Sequence, residues 1–181
     1  MQIAHDGGVF VTRRLPDASS EAAVLLDRNR RLLTGFGLVN GVSHTEFIGT
    51  STADGRRVTF LETSARVGGA YIADVIEAAT GVNLWHEWAK LEIAGEDGPY
   101  EVPPARGDSA GIALCLARQP EPDLSGYTDA EIVTRIRKPY HAGMILRSPD
   151  SQRVESLLND YTERFTLDFL ATMPVPDRPL E

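Results

Sequence analysis

Five polar side chains recur at alternate positions in one stretch of this sequence: His44 and Glu46 in VSHTEFI, then Glu62, Ser64 and Arg66 in LETSAR. Alternate side chains of an extended backbone share a face, so each set projects together. The runs VSHTEFI and RVTFLET flank Ala53-Asp54-Gly55, which reads as a three-residue hairpin loop with glycine last, where the backbone turns left-handed. A loop centred on Asp54 sets Glu46 directly opposite Glu62. Like charges in facing positions destabilise a ladder by up to about 1 kcal/mol, so something positive is expected between them. Two carboxylates are hard oxygen ligands for a Mg2+-like ion. Gly68-Gly69 follows, then AYIADVIEAATG, with Ile72, Val75, Ile76 and Ala79 at helical spacing. The free amides at that helix start would bind an anion beside the carboxylates. Carboxylates, a guanidinium and an anion-binding helix start together point to phosphate chemistry.

The elements that must position these groups can be read along the chain. A short strand, Val9 to Thr12, opens it. Pro16 to Ser20 is a loop ending in N-cap residues, and a helix runs from Glu21 to about Thr34 with Ala22, Leu25, Leu26, Leu32 and Leu33 as its apolar side. Arg28, Arg30 and Arg31 on this helix read as a solvated face. The hairpin's other face carries Phe47, Leu61 and Thr63, a route into the core. Thr80-Gly81 ends the next helix, and a third runs from Leu84 to about Ile93 with Leu84, Trp88 and Leu91 on one side. His86 and Glu87 read as surface residues of that helix. Residues 96–108 are a linker or a long loop, rich in Gly, Pro and acidic residues. Beyond it, GIALCLA is a strand with Ile112, Leu114 and Leu116 on one face, and Cys115 within it is a buried small hydrophobe. Asp129 to Ile136 is a short helix or a strand, and Ala142 to Leu146 is a strand. A long amphipathic helix extends from Ser151 to about Thr172, its stripe formed by Val154, Leu157, Leu158, Tyr161, Phe165, Phe169 and Leu170. Residues 174–181 form a Pro-rich tail.

The stretch TEFIGTSTADGRRVTFLETSARVGG resembles the closing hairpin of the ATP-grasp ligases, in which a strand Glu and a second Glu in an E-x-N-x-R sequence hold the magnesium ions of ATP. GLVNGVSHTEF and EAATGVNLWHEWAK look most like the biotin-carboxylase-like and amino-acid-ligase-like branch, and the likeness covers residues 7–95. The resemblance implies that Glu46 and Glu62 are the metal ligands and the contacts to the nucleotide's metal. Ser64 then stands where most members have a metal-binding Asn, a hydroxyl in place of an amide oxygen. Arg66 takes the position of the family Arg that stabilises an acyl-phosphate or the incoming carboxylate. His44, Arg66, Gly68 and Gly69 would line the substrate. The implied cofactors are Mg2+ (or Mn2+) and ATP. The expected fold is α+β, with residues 1–95 as part of an ATP-grasp second lobe (an antiparallel sheet with packed helices) and residues 109–173 as a small α+β domain.

Composition sets limits on this reading. The chain has 181 residues and a net charge of -8, which argues against nucleic acid or anionic membrane as a main partner. One cysteine excludes an internal disulfide, no apolar run is long enough to span a bilayer, and the expected location is the cytoplasm. Two lysines, Lys90 and Lys138, and no G-x-x-x-x-G-K-[ST] loop cannot supply the phosphate-binding first lobe that the resemblance implies. The expectation is therefore the C-terminal portion of an ATP-dependent carboxylate-amine or carboxylate-thiol ligase, either a piece of a longer chain or the product of a short gene. Alone it would not turn over ATP. Its expected partners are small carboxylate and amine substrates, a separate N-terminal half, and further copies of itself through the Trp85/Trp88 helix and the C-terminal stripe. The alternatives are a non-catalytic interaction or oligomerisation module of ligase-derived shape and, more weakly, a metal-dependent hydrolase with His44 as base.

Overall fold

The computed structural model describes residues 8–52, 55–95 and 98–172. The fold is α+β and its sheets are antiparallel. Contacts divide the chain into two compact units, Leu15–Arg106 and Met1–Arg14 with Gly107–Glu181.

The first unit holds helix α1 (Ser20–Gly35), strands β2 (His44–Thr52) and β3 (Gly55–Ser64), and helices α2 (Ile72–Thr80) and α3 (Leu84–Ala94). Ser19 caps α1 by accepting from the Ala22 amide at 3.1 Å. No residue of α1 is fully buried: Leu25, Leu32 and Leu33 are half-buried, whereas Leu26 is 62% exposed. One of the arginines read as a solvated face does more, since Arg28 Nη1 donates to the Val58 carbonyl at 2.7 Å and ties α1 to the hairpin. The buried hydrophobic residues of the unit lie around α2, at Val67, Ala73, Val75 and Ala79. The segment expected to be a linker or long loop is a loop that folds back on its own unit: the Arg106 amide donates to the Thr80 carbonyl at 2.8 Å.

The second unit is a four-stranded sheet in the order β1-β4-β6-β5, from β1 (Phe10–Arg13), β4 (Ser109–Leu116), β5 (Ile132–Arg135) and β6 (His141–Ser148), with helix α4 (Ser151–Asp168) packed against it. The division at residues 95 and 109 is corrected here. The opening strand belongs to this sheet, because its residues pair with β4 from Phe10↔Leu114 to Arg13↔Gly111, and Val9 joins the core beside Cys115. The ambiguous 129–136 segment is strand β5.

Small residues on β4 make room for large ones on α4. Ala113 and Cys115 face the helix together with Ala142, Met144 and Leu146 of β6, and the helix presents Val154, Leu157, Leu158, Tyr161 and Phe165. The face expected to carry the apolar stripe of β4, Ile112-Leu114-Leu116, is the other one, and Leu116 on it is 57% exposed. The long side chains come from the helix and the strand supplies the floor. Tyr127 completes the core in edge-to-face contact with Tyr161 (5.1 Å between centroids) and Phe165 (5.3 Å). Its hydroxyl donates to Asp168 at 2.8 Å, and Tyr161 donates to Asp129 at 2.6 Å. Burial, with these carboxylates, pushes both phenols up from their usual value. Cys115 is buried as expected, and burial raises its thiol to about 11. The α4 stripe is likewise buried except for Leu170, which is partly buried, whereas Trp85 is 54% exposed.

Helix and sheet approach closely at Gly111, where a Cβ would lie 2.6 Å from Leu158 Cδ1 and 2.9 Å from the Thr12 carbonyl. Gly111→Ala is expected to lower unfolding free energy by about 1–3 kcal/mol in urea denaturation, through overpacking between two fixed partners. Gly126→Ala, with no atom within 4 Å of the added Cβ, serves as the near-neutral control.

Candidate functional site

Glu46 does pair with Glu62, and His44 pairs with Ser64. The reason differs from a three-residue loop. Gly55 opens β3 opposite Thr52, while Ala53 and Asp54 lie outside the described residues. That register would place Glu46 against Leu61, but a bulge intervenes: Phe47 pairs with Phe60, Glu46 with Glu62, and Leu61 is the extra residue between them. The bulge restores the carboxylate pairing. It also corrects the opposite face, since Phe60 rather than Leu61 meets Phe47 (edge-to-face, 6.1 Å) and Leu61 is 51% exposed, not a route into the core.

On the carboxylate face, His44 Nε2 lies 3.0 Å from Glu46 Oε1. The imidazole is held from behind by Gly68: a Cβ there would come 2.9 Å from His44 Nδ1, so the close approach needs glycine. Thr45 and Thr63 hydroxyls hydrogen-bond across the ladder on the other face at 2.8 Å, reinforcing the register. Glu46 and Glu62 are both exposed.

Arg66 does not join the carboxylates. β3 ends at Ser64, and the Arg66 amide donates back to the Ser64 carbonyl at 2.9 Å, a tight turn that stops the period-two alternation. The guanidinium donates to the Val67 carbonyl at 3.0 Å, and among the described residues no ion pair links it to Glu46 or Glu62. His44 Nε2 is thus the side-chain hydrogen-bonding partner that Glu46 has at hand. Gly69 is exposed and its carbonyl accepts from the Ile72 amide at 3.0 Å. The start of α2 is unusual: Ala70 (φ 50°) and Tyr71 (φ 61°) are both left-handed, and no side chain caps the first amides.

Among the described residues no three His, Cys, Asp or Glu side chains converge as a metal site. Two facing acceptor-only carboxylates, without an arginine or lysine ion pair among the described residues, still fit a Mg2+ ion, which keeps most of its ligands as water or phosphate oxygens and takes one or two carboxylates from the protein. Ser64 is placed on the same face, across from His44.

One charged group was misread from sequence. Glu87, expected at the surface, is buried: Lys90 Nζ donates to one oxygen at 2.7 Å and the Tyr100 hydroxyl to the other at 2.9 Å. Tyr100 lies in the loop after α3, so only the fold of that loop reveals the partner. These bonds, Lys90 first, hold the Glu87 carboxyl below the usual carboxylate range.

Two outcomes are expected. Glu62→Gln removes the facing charge and should raise stability of the metal-free protein at neutral pH by up to about 1 kcal/mol in urea denaturation. Glu87 binds fewer protons folded than unfolded, so its stabilisation is full above its unfolded value near 4.5 and is lost as pH falls through the lower folded value. Thermal melts between neutral pH and pH about 3 should therefore show a smaller acid-induced loss for Glu87→Gln, which starts from a lower melting temperature.

No protein-family model and no curated protein matches the sequence. Among solved structures the chain is similar to phosphoribosylglycinamide synthetase from Anaerococcus prevotii, with a TM-score of 0.55 at 12% identity. The match takes in 92% of this chain and 45% of that one, so the chain spans less than half of the enzyme it matches. The likeness is one of fold, and it agrees with the α+β class expected from the sequence.

Proposed function

We propose that this chain is the C-terminal portion of an ATP-dependent carboxylate-amine or carboxylate-thiol ligase that works through an acyl-phosphate, with the nucleotide-binding first lobe supplied by other polypeptide. The observation that carries the reading is the pairing of Glu46 with Glu62 on one exposed face of the β2–β3 hairpin, restored by a bulge at the position where a plain ladder would lose it.

In this reading Glu46 and Glu62 hold Mg2+, with the Ser64 hydroxyl as a weaker neighbour. The ion supplies charge neutralisation for the transferring phosphoryl group of ATP. His44, wedged against Gly68, orients the Glu46 carboxylate. Arg66 moves off the Val67 carbonyl to meet the acyl-phosphate or the incoming carboxylate, a swing open to a long side chain at an exposed position. The backbone at Gly68 and Gly69 borders the substrate. Protein location in the cytoplasm fits such an enzyme, and no helix among the described residues is long and apolar enough to cross a membrane.

A second reading has its own support. α1 buries no residue, and Leu26, Phe36, Val39 and Ile93 of the same unit stand more than half exposed. Such a surface suits a non-catalytic interaction module that keeps the ligase shape.

Calorimetric titration of Mg2+ and Mg-ATP, with and without a first-lobe polypeptide, separates the two. The ligase reading expects Mg-ATP binding that appears with the first lobe and weakens by about tenfold or more in Glu62→Gln. In the chain alone, Mn2+ should broaden the amide resonances of Glu46 and Glu62 selectively, and not in the variant. Neither metal nor nucleotide binding in any combination means the interaction module.

A further inference from the structure

The second unit contains a cavity of about 580 Å3, formed by the loop after β4 and the turn that joins β5 to β6. Its size is that of a small-molecule site. Leu124 and Ile136, both buried, give it an apolar lining. Arg137 and Lys138 come from the turn, and Glu121 and Asp123 from the loop.

Backbone bonds fix the two sides to each other. The Tyr140 amide donates to the Pro120 carbonyl at 2.9 Å, and the Ala117 amide donates to the Tyr140 carbonyl at 2.8 Å. The Arg135 guanidinium donates to the Tyr127 carbonyl at 2.6 Å. In making these bonds Tyr140 is held at φ 58°, a left-handed conformation that costs a non-glycine residue of order 1–3 kcal/mol. On the loop side, Asp123 Oδ1 accepts from the Ser125 amide at 2.9 Å. The cavity is thus built before any ligand arrives, around a strained turn.

Its two signs of charge come from two different segments. Arg137, Lys138, Glu121 and Asp123 all line the cavity, yet none of the four forms an ion pair among the described residues. A simple anion would use the cations and meet the carboxylates as repulsion. An apolar ligand would strip water from all four without compensation.

We propose that this cavity binds a small zwitterion, a free α-amino acid with an apolar side chain. The carboxylate lies toward Arg137 and Lys138, the ammonium toward Glu121 and Asp123, and the side chain against Leu124 and Ile136. The proposal does not depend on the chemistry of the β2–β3 hairpin.

The test is titration of L-leucine into the isotope-labelled full chain, followed through the amide resonances of Leu124, Ile136 and Lys138. Saturable shifts are expected. N-acetyl-leucine and leucine amide, each lacking one charge, should bind about tenfold or more weakly, as should leucine to Arg137→Gln and to Glu121→Gln. Both variants change exposed side chains, and unchanged resonances elsewhere report an intact fold. Absence of saturable shifts with leucine overturns the proposal. So does N-acetyl-leucine or inorganic phosphate binding as tightly as leucine, which would mark a plain anion site, or undiminished leucine binding by both variants.

Discussion

Two carboxylates facing each other across an antiparallel ladder cannot turn away, because the pleat fixes the direction of every side chain on a strand. That constraint governs the first unit. The register from Thr52↔Gly55 down to Phe47↔Phe60 would shift Glu46 off Glu62, and the extra residue at Leu61 brings it back. A bulge exposes a leucine and interrupts ladder bonds, so it is costly in a hairpin with little burial. What it preserves is a repulsive pair. Repulsion maintained by a local irregularity is understandable where a cation is to be held; His44 is braced by Gly68 and directs a nitrogen at Glu46, and among the described residues no arginine or lysine forms an ion pair with either acid.

The second unit rests on a different physical basis. Its two central strands, β4 and β6, are buried along most of their length, and the helix side of β4 is made of glycine, alanine and cysteine where α4 is bulky, with Met144 and Leu146 of β6 beside them. Tyr127, Tyr161, Phe165 and Phe169 then fill the space as one aromatic cluster, with Arg164 stacked 3.9 Å over the Tyr127 ring. Both buried phenols find carboxylate acceptors, so neither hydroxyl is left unpaired in the core. On a scaffold of this rigidity the turn at Tyr140 can be kept in a strained conformation, because the backbone bonds from Ala117 and to Pro120 hold it from both sides.

Legibility from sequence followed the range of the forces involved. Most helix limits, the capping residues ahead of α1 and the α4 stripe depend on neighbours within a few residues, and they could be read; the pairing of Glu46 with Glu62 is expected from a three-residue loop but produced by the bulge at Leu61. Three features could not. β1 pairs with a strand about a hundred residues away, and nothing in FVTR names that partner. The buried state of Glu87 depends on Tyr100 arriving from a loop. The period-two extrapolation to Arg66 failed because a turn at Ser64 ended the strand one step early.

The sequence by itself determined the α+β class, the hairpin, and the alternation that puts His44 with Glu46 and Glu62 with Ser64, because side-chain alternation along a strand is a local property of the chain; the bulge at Leu61 is what sets the two pairs opposite each other. Tertiary structure alone decided which face of β4 meets the helix, since both faces are apolar and only the size match with Leu158, Tyr161 and Phe165 separates them. It also decided that Arg137 and Lys138 share a cavity with Glu121 and Asp123, because that meeting requires β6 to lie between β4 and β5, an order fixed by long-range pairing and by no residue within either segment.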